Sequence, residues 1–280
     1  MPFVLTFLRR WRRFVTPRRG RGPSRTGQAV ALLRAELDRP ASPGGDPDAQ
    51  RRLCAGMAPA ATAAMRPRLA ARTRFFDDQI LAAISRGVPQ VVICGAGYDD
   101  RAFRFRAPGV RYFELDHPGT QADKTRRLER AGLDRAGLTM AAADFRVDDV
   151  AAVLAACGQD AGQATLFLCE GLLVYLSQPV IVRLLAGLAA RAAAGSTLAA
   201  SLSVHRLGAD SGRVTAAANA RRATGQREPW QTILPADSHL ALLDRAGWHV
   251  ENTIDAADLA DGIAAGRSLL VTARPTHPAG

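Results

Sequence analysis

Short apolar runs alternate with longer amphipathic segments from residue 90 onward. The runs start near Val91, Val110, Leu138, Thr165 and Ser196, and a helical pattern follows each of the first four. Strand–helix units that repeat at intervals of about 20 to 30 residues form a parallel sheet with helices on both faces. The pattern therefore predicts an α/β fold with a doubly wound sheet.

The segments on either side of these runs complete the predicted domain. Helical pattern covers residues 28–37 and 51–85, with breaks near Pro59 and Pro67, and a loop separates the two at 40–48. Another helix is predicted at 237–246, with strands at 247–254 and 268–274. The polar stretch 205–231 interrupts the rhythm and would lie over the carboxyl ends of the strands, where such folds bind ligands. We therefore predict a domain over 28–280, with a helical cap at 28–88 and a lid insertion at 204–235.

The positive charge is concentrated at the N-terminus. The chain has 280 residues with 48% apolar and 22% charged side chains, which is typical of a soluble globular protein. Its formal charge is +11, but residues 1–25 contain eight arginines and no acid, so the rest is nearly balanced. We interpret 1–27 as a poorly ordered basic segment. Because apolar residues are interleaved with its arginines, an interfacial helix or a nucleic-acid-binding segment is the alternative.

Cysteine spacing and hydropathy bear on the location of the protein. No later stretch is long and apolar enough to span a membrane. The four cysteines show no paired spacing, and Cys94 and Cys169 lie inside apolar runs. We therefore expect reduced core thiols and a cytoplasmic protein.

The first apolar run leads directly into Gly95-Ala96-Gly97. Glycines at such a turn allow the backbone to approach a ligand closely. A dinucleotide-binding turn would continue with a small residue, whereas here Asp99 and Asp100 follow. Two carboxylates at a helix start should repel a pyrophosphate and tolerate a sulfonium cation. The turn therefore favours S-adenosylmethionine over NAD or FAD.

Acidic residues follow each of the next three runs. Asp116 ends the second run and is the predicted ribose ligand, with Glu114 as a possible sharer on the same face. Asp144 and Phe145 follow the third and could hold an adenine. Glu170 follows the fourth, where it would meet the methionyl ammonium or the reacting centre, although a helix cap is the simpler alternative.

Other candidate groups lie outside these runs. Arg72 and Arg74 precede the first strand, and one of them could pair with the cofactor's carboxylate, although a solvated helix face is an equal alternative. His205 follows the fifth run and is the only histidine placed to act as a base. The others are too scattered for a metal site, so no metal is predicted: His117, His239, His249 and His277.

Four motifs in order resemble the leucine carboxyl methyltransferase family, in particular its bacterial branch of S-adenosylmethionine-dependent enzymes. They are VVICGAGYDDRAFRF at 91–105, YFELDHP at 112–118 with Lys124 downstream, ADFR at 143–146 and EGLLVYL at 170–176. The resemblance covers about residues 72–201, with a weaker match at 242–251. It departs from the family pattern at Tyr98 and Asp100, and upstream of Arg72 it gives no guide to the substrate lid.

The resemblance implies a class I methyltransferase fold, with a seven-stranded sheet whose last strand is antiparallel, and S-adenosylmethionine as cofactor. Tyr175 is expected to help shape the reaction site. The cofactor residues implied by position are Arg74 for the carboxylate, Gly95 and Gly97 for the turn, Asp116 for the ribose, Asp144 and Phe145 for the adenine, and Glu170 for the amino-acid end.

The expected activity is O-methylation of a carboxylate on a small secondary metabolite, for example in a polyketide antibiotic pathway. A carboxylate is already ionised at neutral pH and needs no general base. Methylation of a phenolic hydroxyl, with His205 or Tyr175 as base, remains an alternative. So do carboxyl methylation of a peptide or protein and, from another class, nucleic-acid binding through the N-terminal arginines. We expect a small-molecule acceptor and neither a nucleic acid nor an integral membrane contact, and the oligomeric state stays open.

Overall fold

The computed structural model describes residues 22–58, 66–204, 229–256 and 267–277. The helices are α1 Arg25–Ala35, α2 Ala49–Cys54, α3 Arg66–Ser85, α4 Arg101–Arg104, α5 Pro118–Arg130, α6 Val150–Ala156, α7 Gln178–Ala189 and α8 Ala236–Arg245. The strands are β1 Gln90–Cys94, β2 Arg111–Asp116, β3 Leu138–Ala142, β4 Thr165–Cys169, β5 Thr197–Val204, β6 Trp248–Asp255 and β7 Arg267–Pro275. A 3₁₀ turn spans Leu173–Tyr175.

The seven strands form one sheet in the order β3-β2-β1-β4-β5-β7-β6. The first five are parallel, and β7 runs antiparallel to both β5 and β6. Successive strands are added on one side of β1 as β2 and β3 and then on its other side as β4 and β5. The crevice of the doubly wound sheet therefore opens at the carboxyl ends of β1 and β4. The predicted fold class and the antiparallel last strand are confirmed.

Two apolar layers cover the sheet because side chains alternate along each strand. On β1, Val91 and Ile93 face a layer that contains residues of α1, α2, α3 and α5. Val92 and Cys94 face the layer built from α6, α7 and α8. In the second layer Trp248 packs edge-on against Phe167 and donates its indole N–H to the backbone of α7. Burial on both faces explains why β1 and β4 are apolar after their first residues, Gln90 and Thr165.

The element boundaries differ from the predicted ones in three places. Helix α1 begins at Arg25, inside the segment predicted as a basic tail, with Ser24 as its N-cap. Pro67 does not break a helix but lies in the first turn of α3, where its missing N–H costs nothing. The helix after β1 is only four residues long. Residues 205–228 of the predicted lid lie outside the described residues.

Other expectations concern cysteines and membranes. All four cysteines are free thiols, three of them buried, and Cys157 is partly exposed. Burial raises the pKa of Cys54 to about 11.

No helix in the described ranges has the length and apolar character needed to cross a bilayer. The same ranges contain no cluster of histidine, cysteine and acidic side chains suited to a metal ion.

Candidate functional site

The glycine turn after β1 has a left-handed backbone at both glycines. Gly95 and Gly97 have φ angles of +67° and +53°, in the left-handed region that favours glycine. A Cβ on Gly95 would lie 2.9 Å from Leu172 Cδ1, so the turn also packs tightly against the chain after β4. Both glycines line a cavity of about 310 Å³ at the carboxyl ends of the parallel strands. A cavity of this size suits a small molecule.

Asp116 at the end of β2 lies beside this turn. Its Oδ2 accepts the Gly97 N–H at 2.6 Å and its Oδ1 accepts the His117 N–H at 2.6 Å. Burial raises the pKa of Asp116, and these two backbone donors oppose the rise. Glu114 lies deeper on the same strand, fully buried, with Lys124 Nζ at 2.5 Å. It does not line the cavity, so Asp116 and not Glu114 is placed to meet a ribose.

Asp144 and Phe145 line the cavity after β3, as predicted. Phe145 is buried, and Asp144 Oδ1 accepts from the backbone N and from Nε of Arg146 at 3.1 and 3.0 Å. Partial burial alone would raise the pKa of Asp144, but the hydrogen bonds from Arg146 hold it below its usual value. A charged carboxylate and an aromatic ring therefore stand together at this end of the cavity.

Glu170 is held by three arginines. Its Oε1 accepts from Arg34 Nη2 at 3.0 Å and from Arg72 Nε at 2.9 Å, and its Oε2 accepts from Arg101 Nη1 at 2.6 Å. Burial opposes ionisation, yet these cations hold the pKa of Glu170 well below its ordinary value. Glu170 lines the cavity, but three guanidinium groups already balance its charge, so it is not the free ligand for an ammonium that the sequence suggested.

The same arrangement corrects the argument from Asp99 and Asp100. Asp99 accepts from Arg34 and Arg101, and Asp100 accepts from Arg39 and Arg104. Arginines therefore neutralise both carboxylates, and their charge does not repel an anion at the turn. With Asp77, which pairs with Arg39 and Arg101, the cluster joins four acids to five arginines: Asp77, Asp99, Asp100, Glu170, Arg34, Arg39, Arg72, Arg101 and Arg104.

Helix α3 presents Arg72, and not Arg74, to the cavity. Arg72 lines the cavity beside Glu170 and Gly171, and its side chain is 21% exposed. Arg74 is exposed outside the cavity, with Asp78 near it. Residues two positions apart on a helix point in directions about 200° apart around its axis. Only one of these two arginines can therefore face the sheet edge. Arg74, to which the resemblance assigned the carboxylate contact, is therefore not among the residues that line the cavity.

Beyond Glu170 the cavity continues into a second half, which we call the acceptor half. Tyr175 lies there, together with Trp230 of the predicted lid and with residues that the sequence did not indicate: Arg68 of α3, Ser201 and Ser203 of β5 and Ser268 of β7. Ser201 Oγ accepts the Gly171 N–H at 2.8 Å and thereby fixes the turn after β4. His205, the predicted candidate base, lies outside the described residues.

Sequence reasoning missed Arg34 and Arg101, although both are central to the site. Arg34 lies on α1, 136 positions before Glu170 in the chain, so no local spacing connects the two. Arg101 is inside the glycine-turn motif, and its signal was available: an arginine directly after two acids at a helix start. Its guanidinium is completely buried and also lies 5.8 Å over the ring of Phe76.

Comparisons with known proteins agree with this geometry. The sequence profile of the leucine carboxyl methyltransferase family matches residues 28–189, more than half of the chain. The chain belongs to the leucine carboxyl methyltransferase family. It is an S-adenosylmethionine-dependent methyltransferase, as the names of its relatives indicate. The match begins upstream of Arg72 and so includes α1 and Arg34, which the sequence motifs did not reach.

Two relatives named as S-adenosyl-L-methionine-dependent methyltransferases illustrate the similarity. A protein of Mycolicibacterium gilvum is 34% identical over 79% of this chain and 70% of its own length. A protein of Streptomyces avermitilis is 36% identical over 65% of this chain, and the match covers 62% of that relative. The chain thus spans between three fifths and three quarters of the length of these relatives.

Solved structures of methyltransferases share the fold at low sequence identity. A methyltransferase of Thermobifida fusca superposes with a TM-score of 0.58 at 16% identity and covers 91% of this chain and 96% of its own. The magnesium protoporphyrin IX methyltransferase of Synechocystis, with S-adenosylhomocysteine bound, gives a TM-score of 0.52 at 13% identity, with coverages of 81% and 93%. Both support the class I methyltransferase fold.

The residues of the cavity fit S-adenosylmethionine. Left-handed glycines allow close approach, Asp116 can accept from ribose hydroxyls, and Asp144 with Phe145 can hold an adenine. At the opposite end Arg72 offers a guanidinium to a carboxylate. The turn is therefore suited to this cofactor because of its shape, and not because of free charge on Asp99 and Asp100.

Proposed function

We propose that this chain transfers a methyl group from S-adenosylmethionine to a carboxylate oxygen of a small acceptor. The observation that supports the proposal most is the continuity of the cavity. Its cofactor half, from Asp144 to Arg72, opens past Glu170 into the acceptor half without leaving the carboxyl edge of the sheet. A donor and an acceptor can therefore be held side by side, which is the main requirement of an in-line displacement.

Different residues of the cofactor half would bind different parts of S-adenosylmethionine. Asp116 would accept from the ribose hydroxyls, because Gly97 and His117 hold its two oxygens in a fixed orientation. Phe145 would flank the adenine, and Asp144 would accept from its amino group. Arg72 would bind the carboxylate, with Glu170 orienting the guanidinium through Nε. Glu170 is thus a positioning residue in this proposal, and Arg72 replaces Arg74.

The acid–base groups of the described cavity wall favour an acceptor that is already ionised. His117 Nδ1 accepts the Gly119 N–H, so this ring nitrogen is engaged in capping α5. The four carboxylates of the wall are engaged by arginines or backbone N–H groups: Asp99, Asp116, Asp144 and Glu170. A carboxylate acceptor is ionised at neutral pH and requires no base.

When bound, the cofactor supplies an electrophilic methyl group on a positively charged sulfur. The chain's own contribution is to align and to exclude water. Leu172 and Val174 contribute apolar surface to the cavity wall. The backbone N–H of Gly171 donates to Ser201 Oγ, which holds Gly171 in place. Displacement needs few chemical groups from the protein, so alignment is the larger contribution to the rate.

Base lability of the product distinguishes a carboxylate from a hydroxyl acceptor. The purified protein would be incubated with methyl-labelled S-adenosylmethionine and a panel of aromatic and aliphatic acids and phenols. A methyl ester releases labelled methanol in mild alkali, whereas a phenol ether keeps its label. We expect alkali-labile label that is lost in Asp116→Ala. Alkali-stable label would instead support hydroxyl methylation, with Tyr175 as the first residue to test. Label in neither product would count against the proposal.

A further inference from the structure

Helix α3 presents two arginines to the same cavity. Arg68 and Arg72 are four residues apart, so they lie on one face of the helix, about one turn from each other. Arg72 reaches Glu170 in the cofactor half. Arg68 reaches the other way, and its Nη2 donates to Ser268 Oγ on β7 at 3.2 Å. The two guanidinium groups are therefore divided between the two halves of the cavity.

The two halves differ in the charges that line them. All the carboxylates among the described lining residues belong to the cofactor half; they are Asp99, Asp116, Asp144 and Glu170. In the acceptor half the described wall contains Arg68, the hydroxyl groups of Ser203, Ser268 and Tyr175, and uncharged residues such as Leu176 and Gln231. A half-buried guanidinium surrounded by hydroxyl donors is a typical environment for binding an anion.

The surroundings of Arg68 make its positive charge costly. Burial lowers the pKa of Arg68, the nearby charge of Arg72 lowers it further, and Asp255 acts in the opposite direction. Asp255 does not line the cavity. An anion bound at the cavity surface of Arg68 would offset both unfavourable effects, because it adds an opposite charge close to the two guanidinium groups.

We propose that Arg68 binds the carboxylate of the methyl acceptor and selects the ionised acid over neutral analogues. The inference rests on the proposed carboxyl methylation and adds the residue that recognises the acceptor. Ser268 orients the guanidinium through its hydroxyl, so it serves as a positioning residue. Arg72 remains with the cofactor, so the two arginines of α3 that line the cavity have different roles in this proposal.

The charge change of the reaction gives this arrangement a second consequence. One carboxylate oxygen forms the new O–C bond, the S–C bond breaks, and its electron pair stays on sulfur; no proton is transferred. The acceptor changes from an anion to a neutral ester, so its attraction to Arg68 is lost when the bond forms. Arg68 therefore favours binding of the acid and release of the ester, because a charge-assisted hydrogen bond becomes a neutral one.

Binding measurements with acid and amide pairs test the proposal without turnover. The protein would be saturated with S-adenosylhomocysteine and titrated by calorimetry with benzoate, phenylacetate and decanoate, each compared with its primary amide. We expect at least one acid to bind about tenfold or more tightly than its amide. Arg68→Gln should remove this preference and Arg68→Lys should restore part of it. Arg86→Gln, an exposed arginine just beyond the same helix, should behave as wild type.

The outcomes separate this inference from the function on which it rests. Failure of wild type to bind S-adenosylhomocysteine would overturn both. Normal cofactor binding, with no acid preferred over its amide, would overturn the role of Arg68 alone. So would a preference that survives in Arg68→Gln. Unchanged S-adenosylhomocysteine affinity and an unchanged melting curve in Arg68→Gln would show that any loss of acid binding is local.

Discussion

The backbone N–H of Gly97 donates to Asp116 Oδ2 at 2.6 Å, which joins the turn after β1 to the end of β2. The carboxylate therefore both shapes the turn and faces the cavity. We predict that Asp116→Ala weakens S-adenosylhomocysteine binding by about 100-fold or more, since two charge-assisted bonds to ligand hydroxyls are lost. Calorimetry would measure the change. Glu114→Gln, in the buried pair on the same strand, is the matched comparison and should retain most of the affinity; equal losses would contradict the assignment.

Substitution of the two neighbouring arginines of α3 tests which one serves the cofactor. Arg72→Gln removes a guanidinium at the cavity wall, so the affinity for S-adenosylhomocysteine should fall by about tenfold or more. Arg74→Gln changes an exposed side chain, so its affinity should stay within about twofold of wild type. Titration calorimetry on both variants decides the matter. The reverse order of effects would restore Arg74 as the carboxylate contact.

The close packing of Gly95 predicts a specific cost for a methyl group. Gly95→Ala must adopt a left-handed φ and must also displace Leu172, whose Cδ1 lies 2.9 Å from the added Cβ. Gly109→Ala has a similar φ of +77° but no atom within 4 Å, so it isolates the backbone cost of about 1–2 kcal/mol. Urea denaturation should show a larger loss for Gly95→Ala, accompanied by weaker cofactor binding. Identical losses would mean that the contact with Leu172 is easily relieved.

Arg101 should be the most destabilising arginine to remove. It contacts three carboxylates at 2.6 Å each, and its side chain is completely buried. Arg101→Met leaves buried carboxylates with fewer cations, so we expect a loss of about 3–5 kcal/mol in the free energy of unfolding. The exposed pair of Arg51 with Asp48 supplies the control: Arg51→Met should cost less than about 1 kcal/mol. Chemical denaturation at constant pH measures both. A loss for Arg101→Met no larger than that of the control would argue against the buried network.

Two buried acids give the stability opposite dependences on pH. The pKa of Asp100 is lowered to about 2: burial opposes ionisation, but Arg39 and Arg104 outweigh it. Its contribution is therefore present above pH 3.8 and lost as the pH falls through about 2. Burial raises the pKa of Glu114 from 4.5 to about 7, against the effect of Lys124. That contribution is full below pH 4.5 and lost as the pH rises through about 7.

Denaturation curves between pH 2 and 9 would separate these two contributions. The free energy of unfolding should rise from pH 2 to 4 and then decline from about pH 5 to 7. Glu114→Gln should flatten the decline, whereas Glu129→Gln, exposed on the same helix as Lys124, should leave it unchanged. A decline that persists in Glu114→Gln would assign it to another group.

The sequence by itself determined the fold class, the order of the strands along the chain and several of the residues that line the cavity. Apolar runs of strand length fixed where the sheet lies, and the residue after each run reaches the ligand edge because parallel strands end together. Gly95, Asp116, Asp144 and Phe145 follow from that rule alone. The rule is local, so it needs no knowledge of distant contacts.

Only the tertiary structure decided what the charged groups do. Glu170 and Asp99 looked like free carboxylates in the sequence, but α1 brings Arg34 to both of them from more than 60 residues away. The rotation of α3 about its axis, set by burial of its apolar face, turned Arg68 and Arg72 towards the cavity and left Arg74 outside it. Charge in a buried site depends on which side chains meet there, and that is a property of packing and not of spacing along the chain.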